Sequence, residues 1–186
     1  MSDAVFLIRK VLLIGTHHTY QYGAGSAYFG GCTQEEESAF RHLVQRLAHR
    51  FEVSGLAEEL NEDGLSQHKV RHSVLQQEAS ALQLPHCFCE PGLAERADLG
   101  IRQSNEVKAT GWIRGWSNEE VKSALLDEFK KREAVWCDRL LVQDAWPVLF
   151  VCGADHVPSF SSLLLERGLK VEVLETCWEA QPSSRK

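Results

Sequence analysis

The stretch Val148-Leu-Phe-Val-Cys-Gly-Ala-Asp-His156 joins an apolar, strand-like run to the pattern Gly-x-x-His. The same arrangement occurs near the start of the chain, where Val11-Leu-Leu-Ile14 precedes Gly15-Thr-His-His18. A glycine that permits a sharp turn, followed by a histidine at the carboxyl end of a strand, is a common way for open α/β sheets to build a site. Two copies in the same context favour a parallel sheet with a functional site at one edge.

Apolar runs and three-to-four-residue periodicity alternate along the rest of the chain. The predicted strands are Val5–Ile14, Glu52–Ala57, Leu84–Cys89, a strand opened by Pro147, and Lys170–Glu175. The predicted helices are Gln34–Arg50 capped by Thr33, one marked by Val74 to Leu82, Asn118–Val142 behind a Ser117/Glu120 capping box, and Phe160–Arg167. Alternation of this kind predicts an α/β fold: a single domain with a mainly parallel central sheet flanked by helices.

Two stretches interrupt this pattern. Residues 20–33 are rich in glycine and predict a long loop, which beside a site often serves as a lid or a binding segment. Residues 94–115 mix charged residues with glycines and predict no regular element. Trp112 in that second stretch and Trp116 directly after it are candidates for an interaction surface, since tryptophans are favoured at interfaces.

The length and the net charge of the chain limit the class of protein to which it can belong. With 186 residues the chain fits one domain, which we place at residues 1–180, and residues 181–186 predict a disordered tail. A net charge of −6 without a basic cluster makes a nucleic-acid partner unexpected. No apolar run reaches the roughly 20 residues of a membrane span, and the acidic amino terminus does not match a signal peptide. We therefore expect a cytoplasmic protein with no membrane association and with its six cysteines reduced.

Polar side chains follow the predicted strands at the edge where ligands bind in such sheets. His17 and His18 follow the first strand, Glu58 and Glu59 the second, Glu90 the third, and Asp155 and His156 the fourth. Neutral imidazoles with carboxylates can hold a divalent metal that keeps an open position for water. The same groups can also act without metal, with a histidine or glutamate as general base. The sequence is compatible with both the metal-dependent and the metal-free route.

The long predicted helix breaks its apolar stripe at Arg132 and Glu133, so one of these two should face inward. A buried arginine is costly unless it is paired or faces a ligand. Arg132 could therefore hold a carboxylate or stabilise a developing oxyanion. The plainer alternatives are that Arg132 reaches solvent or pairs with Glu133.

The order of these motifs resembles the TIKI/TraB superfamily, which includes ChaN-like and erythromycin esterase-like proteins. That group carries two Gly-x-x-His motifs, a glutamate after the second strand and an arginine on a helix before the last motif. The matching positions are Gly15 with His18, Glu58 or Glu59, Arg132, and Gly153 with His156. The resemblance implies a hydrolase, with metal-dependent proteolysis in TIKI-type members and lactone or ester cleavage in esterase-type members.

Together these patterns predict a metal-dependent hydrolase of peptide, ester or lactone bonds acting on a small molecule or a peptide. The expected metal ligands for Mn, Co, Zn or Fe are His18, His156 and Glu58. The expected catalytic residues are Glu58, Glu59, Arg132 and His156, and the expected substrate-binding residues are Tyr20, Tyr22 and Glu90. The alternative is a non-catalytic ligand-binding, sensor or assembly module on the same fold, which could form a homo-oligomer through Trp112 and Trp116.

Overall fold

The computed structural model of the chain describes residues 9–27 and 30–181. Within them, five strands form one sheet: β1 (Lys10–Thr16), β2 (Gly55–Glu58), β3 (His86–Phe88), β4 (Val148–Gly153) and β5 (Lys170–Trp178). Their order is β3-β2-β4-β1-β5 and all neighbouring pairs run parallel. The predicted α/β class with a parallel central sheet is therefore confirmed. The predicted strand residues before Arg9 and the predicted tail beyond Gln181 lie outside the described residues.

Helices cover both faces of this sheet. They are α1 (His18–Tyr22), α2 (Gln34–Arg50), α3 (Glu62–Gln67), α4 (Val74–Leu82), α5 (Leu93–Asp98), α6 (Ser104–Arg114), α7 (Asn118–Leu141) and α8 (Val157–Glu166), with a single 3₁₀ turn at Ala154–His156. Helices α2 and α4 pack on one face, and α7 and α8 pack on the other. None of the helices in the described part of the chain is long and apolar enough to cross a membrane.

Successive residues of a central strand point into two separate cores. In β1, Leu12 and Ile14 pack in the core that contains Phe40 of α2. Leu13 points the other way, into the core that contains Trp136 of α7. Because helices bury both faces, the strand residues are apolar without interruption, as is usual for parallel sheets.

The two longest helices begin where their capping signals predict. The Thr33 hydroxyl accepts from the Glu36 amide at 3.2 Å, while the Glu36 carboxylate accepts from the Thr33 amide at 2.7 Å. Ser117 and Glu120 form the same reciprocal pair at the start of α7. Such a capping box satisfies two backbone donors that the first helical turn leaves without intrahelical partners.

Two expectations about irregular segments are wrong. The stretch predicted as a loop from Tyr20 begins inside helix α1, where Tyr20 and Tyr22 are buried. Residues 94–115, for which no element was predicted, contain most of α5 and all of α6. None of the α5 residues is buried and α6 buries only Val107 and Gly111, so neither helix leaves a clear apolar period in the sequence.

Some boundaries also shift. Glu52 was predicted to start the second strand, but its φ of 50° turns the chain there and β2 begins at Gly55. Helix α8 starts earlier than predicted because Pro158 sits in its first turn, where proline is favoured. All six cysteines are free thiols.

Candidate functional site

The two Gly-x-x-His motifs lie side by side at the carboxyl edge of the sheet. Strands β1 and β4 are direct neighbours, with Gly15 opposite Cys152 and Thr16 opposite Gly153. His18 is the first residue of α1, and His156 closes the 3₁₀ turn after β4. The pairing of these two strands therefore brings together histidines that are far apart in the sequence.

Both motif glycines lie in close packing rather than in a sharp turn. A Cβ at Gly15 would lie 2.2 Å from the Thr176 carbonyl oxygen, and a Cβ at Gly153 would lie 3.1 Å from His18 Nε2. Neither glycine has the left-handed φ that favours this residue, and Gly153 has a φ of −60°. The expectation of a glycine-dependent turn is thus wrong, and the absence of a side chain is what matters at these positions.

A cavity of about 750 Å³ opens above this edge of the sheet. Its lining includes His18, Glu59, Arg132 and His156, and also Tyr20. A second cavity of about 220 Å³ shares His18, Glu59 and Arg132 with the first and adds Tyr22 and Glu90. Most of the predicted site residues therefore line one of these two cavities, whereas Glu58 lines neither.

Glu59 is the buried carboxylate at the centre of this cluster. Its Oε2 accepts from the Gly153 amide at 2.8 Å, and its Oε1 is paired with Arg132. Nε2 of His18 lies 3.7 Å and Nε2 of His156 lies 3.4 Å from the same Oε1. Burial raises the pKa of Glu59, but the positive charges that His18, Arg132 and His156 can carry, together with the Gly153 amide, outweigh it and lower the pKa to about 2. Glu59 is therefore a permanent anion and a weak proton acceptor.

Arg132 reaches inward and connects two carboxylates. Its Nε lies 3.1 Å from both carboxylate oxygens of Glu90, and its Nη2 donates to Glu90 at 2.9 Å and to Glu59. Its Nη1 lies 3.4 Å from Nε2 of His156. Burial lowers the pKa of Arg132, but Glu59 and Glu90 raise it further, so the guanidinium stays charged.

The donors of Arg132 are almost fully committed. A guanidinium has five N–H groups, one on Nε and two on each Nη. Glu90, Glu59 and His156 account for four of them. Within the part of the chain that the structure describes, the second N–H of Nη1 has no partner, and Arg132 lines the cavity. This donor is available to an oxygen atom of a ligand.

His156 is oriented by a buried carboxylate on the same helix as Arg132. Its Nδ1 lies 2.7 Å from Oε1 of Glu133, which also accepts from the Ser159 hydroxyl at 2.7 Å. This contact places the proton of a neutral His156 on Nδ1 and leaves Nε2 as an acceptor, facing Arg132. Both Arg132 and Glu133 thus face inward, although the sequence predicted only one of them to do so.

His18 is held in the equivalent way by Gln21. The Gln21 amide nitrogen donates to Glu58 at 3.2 Å, so its oxygen is left to accept from Nδ1 of His18 at 2.8 Å. Nε2 of a neutral His18 is therefore an acceptor on the side of Glu59 and the cavity. The His18 side chain is 32% exposed and the His156 side chain only 4%, so His18 is the imidazole that solvent can reach.

Glu58 faces the opposite side of the sheet from Glu59, because neighbouring strand residues point to opposite faces. Its carboxylate accepts from the Ser73 hydroxyl and lies 2.8 Å from Nε2 of His86. The geometry thus assigns to Glu59 the central place for which Glu58 was also a candidate. Through this contact His86 supports the Glu58 carboxylate that Gln21 also binds.

The remaining predicted residues line the cavities with their polar atoms already engaged. Tyr20 packs on Trp178 and its hydroxyl accepts from the Ala180 amide at 3.4 Å. Tyr22 packs on the ring of His68. The Glu90 carboxylate, besides binding Arg132, accepts from Trp136 Nε1 at 2.8 Å. Their roles in substrate binding stay predictions.

As placed, His18, Glu59 and His156 do not fit a single metal ion. Metal–ligand distances of about 2.0–2.3 Å require ligand atoms within about 4.6 Å of one another. Among the residues that the structure describes, these three do not meet even a limit of 4.8 Å. The Glu59 oxygen nearest both imidazoles is also occupied by the Arg132 guanidinium. We therefore derive no reaction step through a metal at these residues.

Two residues fix the histidine tautomers: Gln21, which the sequence did not single out, and Glu133, which it marked as a possible inward residue without assigning it this role. Both carry a spacing signal: Gln21 lies three positions after His18, and Glu133 lies three positions before Trp136 on α7. No protein-family model, curated protein or solved structure matches the chain.

Proposed function

We propose that the chain is a hydrolase that cleaves an ester, lactone or peptide bond, as the TIKI/TraB resemblance implies. One observation carries the proposal: a solvent-accessible imidazole with a fixed tautomer shares a cavity with a buried guanidinium that keeps one N–H free. A base and a preorganised cation in one cavity are the parts that hydrolysis of a carbonyl compound requires.

In this proposal His18 is the general base. Nε2 of His18 accepts a proton from a water molecule while the water oxygen attacks the carbonyl carbon. The anionic Glu59, 3.7 Å away, stabilises the imidazolium that forms. Glu59 itself is a poor base because its pKa of about 2 leaves it ionised and weakly basic at neutral pH.

Arg132 stabilises the negative charge that develops on the carbonyl oxygen, through its uncommitted Nη1 donor. His156 is a positioning residue, because its Nε2 receives the other Nη1 donor and so fixes the plane of the guanidinium. The imidazolium of His18 then returns its proton to the leaving oxygen or nitrogen as the carbonyl–leaving-group bond breaks. The carboxylic acid product and the neutral His18 complete the cycle.

The test is an assay of untagged protein against fluorogenic esters, lactones of increasing ring size and unstructured peptides. We expect turnover of at least one class, reduced by about 10²–10⁴-fold in His18→Ala. Arg132→Lys keeps the positive charge but loses the planar arrangement of guanidinium N–H donors, and we expect activity to fall by about 10²-fold. His42→Ala, an exposed histidine on α2, is the matched control and should keep full activity. Full activity in a folded His18→Ala variant would falsify the assignment of the base.

Two further measurements test the metal-dependent and the non-catalytic alternatives. Chelator-treated protein is assayed before and after addition of Mn, Co, Zn or Fe, and activity that requires the metal would overturn the metal-free mechanism. Saturable binding of a compound from the same set without its turnover would instead indicate a non-catalytic ligand-binding module.

A further inference from the structure

Three exposed side chains of different chemistry converge beside the larger cavity: His17 and Glu179, which line it, and Cys177. One potential ligand atom from each lies within 4.8 Å of the other two, and His17 Nε2 is 3.2 Å from Glu179 Oε1. Among the residues that the structure describes, this is the one set of three His, Cys, Asp or Glu side chains that converges in this way.

The end of β5 is held against β1 so that these residues converge. The Thr16 hydroxyl donates to the Trp178 carbonyl at 2.9 Å, and the Trp178 ring packs on Tyr20 and Phe40 at 5.0 and 5.3 Å between ring centroids. Cys177 and Glu179 flank Trp178, and side chains two residues apart in an extended chain share a face. Trp178 packs against the core, and its exposed neighbours Cys177 and Glu179 point away from that core.

The register between β1 and β5 is irregular near this point. Leu13 pairs with Val173, Ile14 with Glu175 and Thr16 with Trp178, so β5 contains extra residues at two places. Bulges of this kind re-aim side chains at strand ends and are over-represented beside functional sites. The irregularity thus places β5 side chains next to the first residue after β1, which is His17.

We infer that His17, Cys177 and Glu179 bind a divalent transition-metal ion, with Zn²⁺ and Co²⁺ as the fitting ions. An imidazole nitrogen, a thiolate and a carboxylate oxygen are all ligands of Zn²⁺, and three protein ligands leave a fourth position open. The thiolate disfavours hard ions such as Mg²⁺ and Ca²⁺. The thiolate is the form of Cys177 that binds a metal, so binding releases the thiol proton.

The site is separate from the hydrolytic residues but faces the same space. His17 and Glu179 line the larger cavity together with His18 and Arg132. A bound ion would add positive charge at the mouth of that cavity. The inference does not rest on the proposed hydrolase: an inactive protein could still bind the ion here, and an active one could lack it.

The experiment is a titration of metal-free, untagged protein with Co²⁺ under a phosphine reductant. A Co²⁺ ion bound by a thiolate absorbs in the near ultraviolet through charge transfer from sulfur. We expect this band to saturate at one Co²⁺ per chain and to be displaced by one equivalent of Zn²⁺. Cys177→Ser should abolish the band, and His17→Ala should weaken Zn²⁺ binding by more than the 10–100-fold typical of a lost outer-shell partner.

Two matched variants make the result specific. Cys87→Ser removes a partly buried thiol on β3, and His18→Ala removes the neighbouring histidine of the hydrolytic site; both should keep the band. The side chains of the proposed ligands are exposed, so their variants should fold, which far-ultraviolet circular dichroism checks. Absence of the band in the wild type, its persistence in Cys177→Ser, or its loss in His18→Ala would each overturn the inference.

Discussion

Glu133 Oε1 and His156 Nδ1 lie 2.7 Å apart inside the core that joins helix α7 to the sheet. The rings of Phe129 and Trp136 pack around the same imidazole, with centroids 4.1 and 4.8 Å away. An imidazole held by a carboxylate on one nitrogen and contacted by two aromatic rings has a single orientation. Its other nitrogen therefore holds Arg132 in a fixed position.

Two substitutions of Glu133 separate the loss of its hydrogen-bond acceptor from the loss of its charge. Glu133→Ala leaves the Nδ1 donor of His156 and the Ser159 hydroxyl without their buried acceptor, which should cost roughly 1–3 kcal/mol of unfolding free energy. Glu133→Gln keeps an acceptor oxygen and should cost less. Urea denaturation of both variants measures the difference. Equal stability of Glu133→Ala and the wild type would contradict the importance of this contact.

Acid should destabilise the protein partly through Glu59. Its pKa is lowered from 4.5 to about 2 in the folded chain, so its contribution to stability is present above pH 4.5 and is lost as pH falls toward 2. A shift of this size corresponds to roughly 3 kcal/mol. Glu59→Gln should therefore show a flatter loss of stability between pH 4.5 and 2 than the wild type.

That comparison depends on how steeply the free energy of unfolding changes with pH, rather than on its value at any one pH. Glu59→Gln also removes a charge partner of Arg132, which lowers stability at every pH. Urea midpoints measured at several pH values for both proteins give the two slopes. Identical slopes would show that Glu59 does not titrate differently in the folded and unfolded chains.

The two motif glycines should fail in different ways when replaced by alanine. At Gly15 a Cβ meets the Thr176 backbone oxygen at 2.2 Å and a Val157 methyl at 2.5 Å, so Gly15→Ala should unfold or strongly destabilise the chain. At Gly153 the nearest atom belongs to the partly exposed His18 side chain, which can shift. Gly153→Ala should therefore retain most of its stability while it loses activity.

Gly25→Ala provides the control for both glycine variants, since a Cβ there meets nothing within 4 Å in the described part of the chain. Thermal denaturation and the hydrolysis assay are measured for all three. Loss of stability in Gly153→Ala as large as that in Gly15→Ala would argue against a site held by a movable His18.

Glu58 and Glu59 should differ in their effect on the reaction. Glu59 lies next to both imidazoles and Arg132, whereas Glu58 reaches His18 only through Gln21. We expect Glu59→Gln to lower kcat strongly and Glu58→Gln to lower it by less than about tenfold, with KM little changed. Steady-state kinetics on whichever substrate class is turned over distinguishes the two, and the reverse order would reassign the central carboxylate to Glu58.

The sequence predicts the elements that have strong local signals. Helices α2 and α7 carry both capping boxes and regular apolar spacing, and their starts agree with the prediction. Helices α3 and α5 are single short turns with little buried surface, so their sequences resemble polar loops. The glycines that follow Tyr20 predict a loop, so the sequence gives no sign of the short helix α1 that contains Tyr20.

The site was predictable as a set of positions but not as a set of contacts. The carboxyl edge of a parallel sheet fixes which residues gather there. It does not fix which face of the sheet each side chain points to. Helices bury both faces of β2, and the strand residues before Glu58 and Glu59 are apolar at both alternating positions, so no polar face is marked. The role of Glu133 depends on how α7 packs against the turn after β4, which no local pattern contains, whereas Gln21 contacts His18 within the short helix α1.

The pairing of Arg132 also determines how much charge the buried cluster carries. Glu59, Glu90 and Glu133 supply three negative charges, and Arg132 with Arg96, which also binds Glu90, supplies two positive ones. With neutral histidines these five side chains carry one excess negative charge. One positive charge placed among these side chains would make the cluster electrically neutral, so the imidazolium that the proposed reaction forms at His18 would balance the buried charge instead of adding to it.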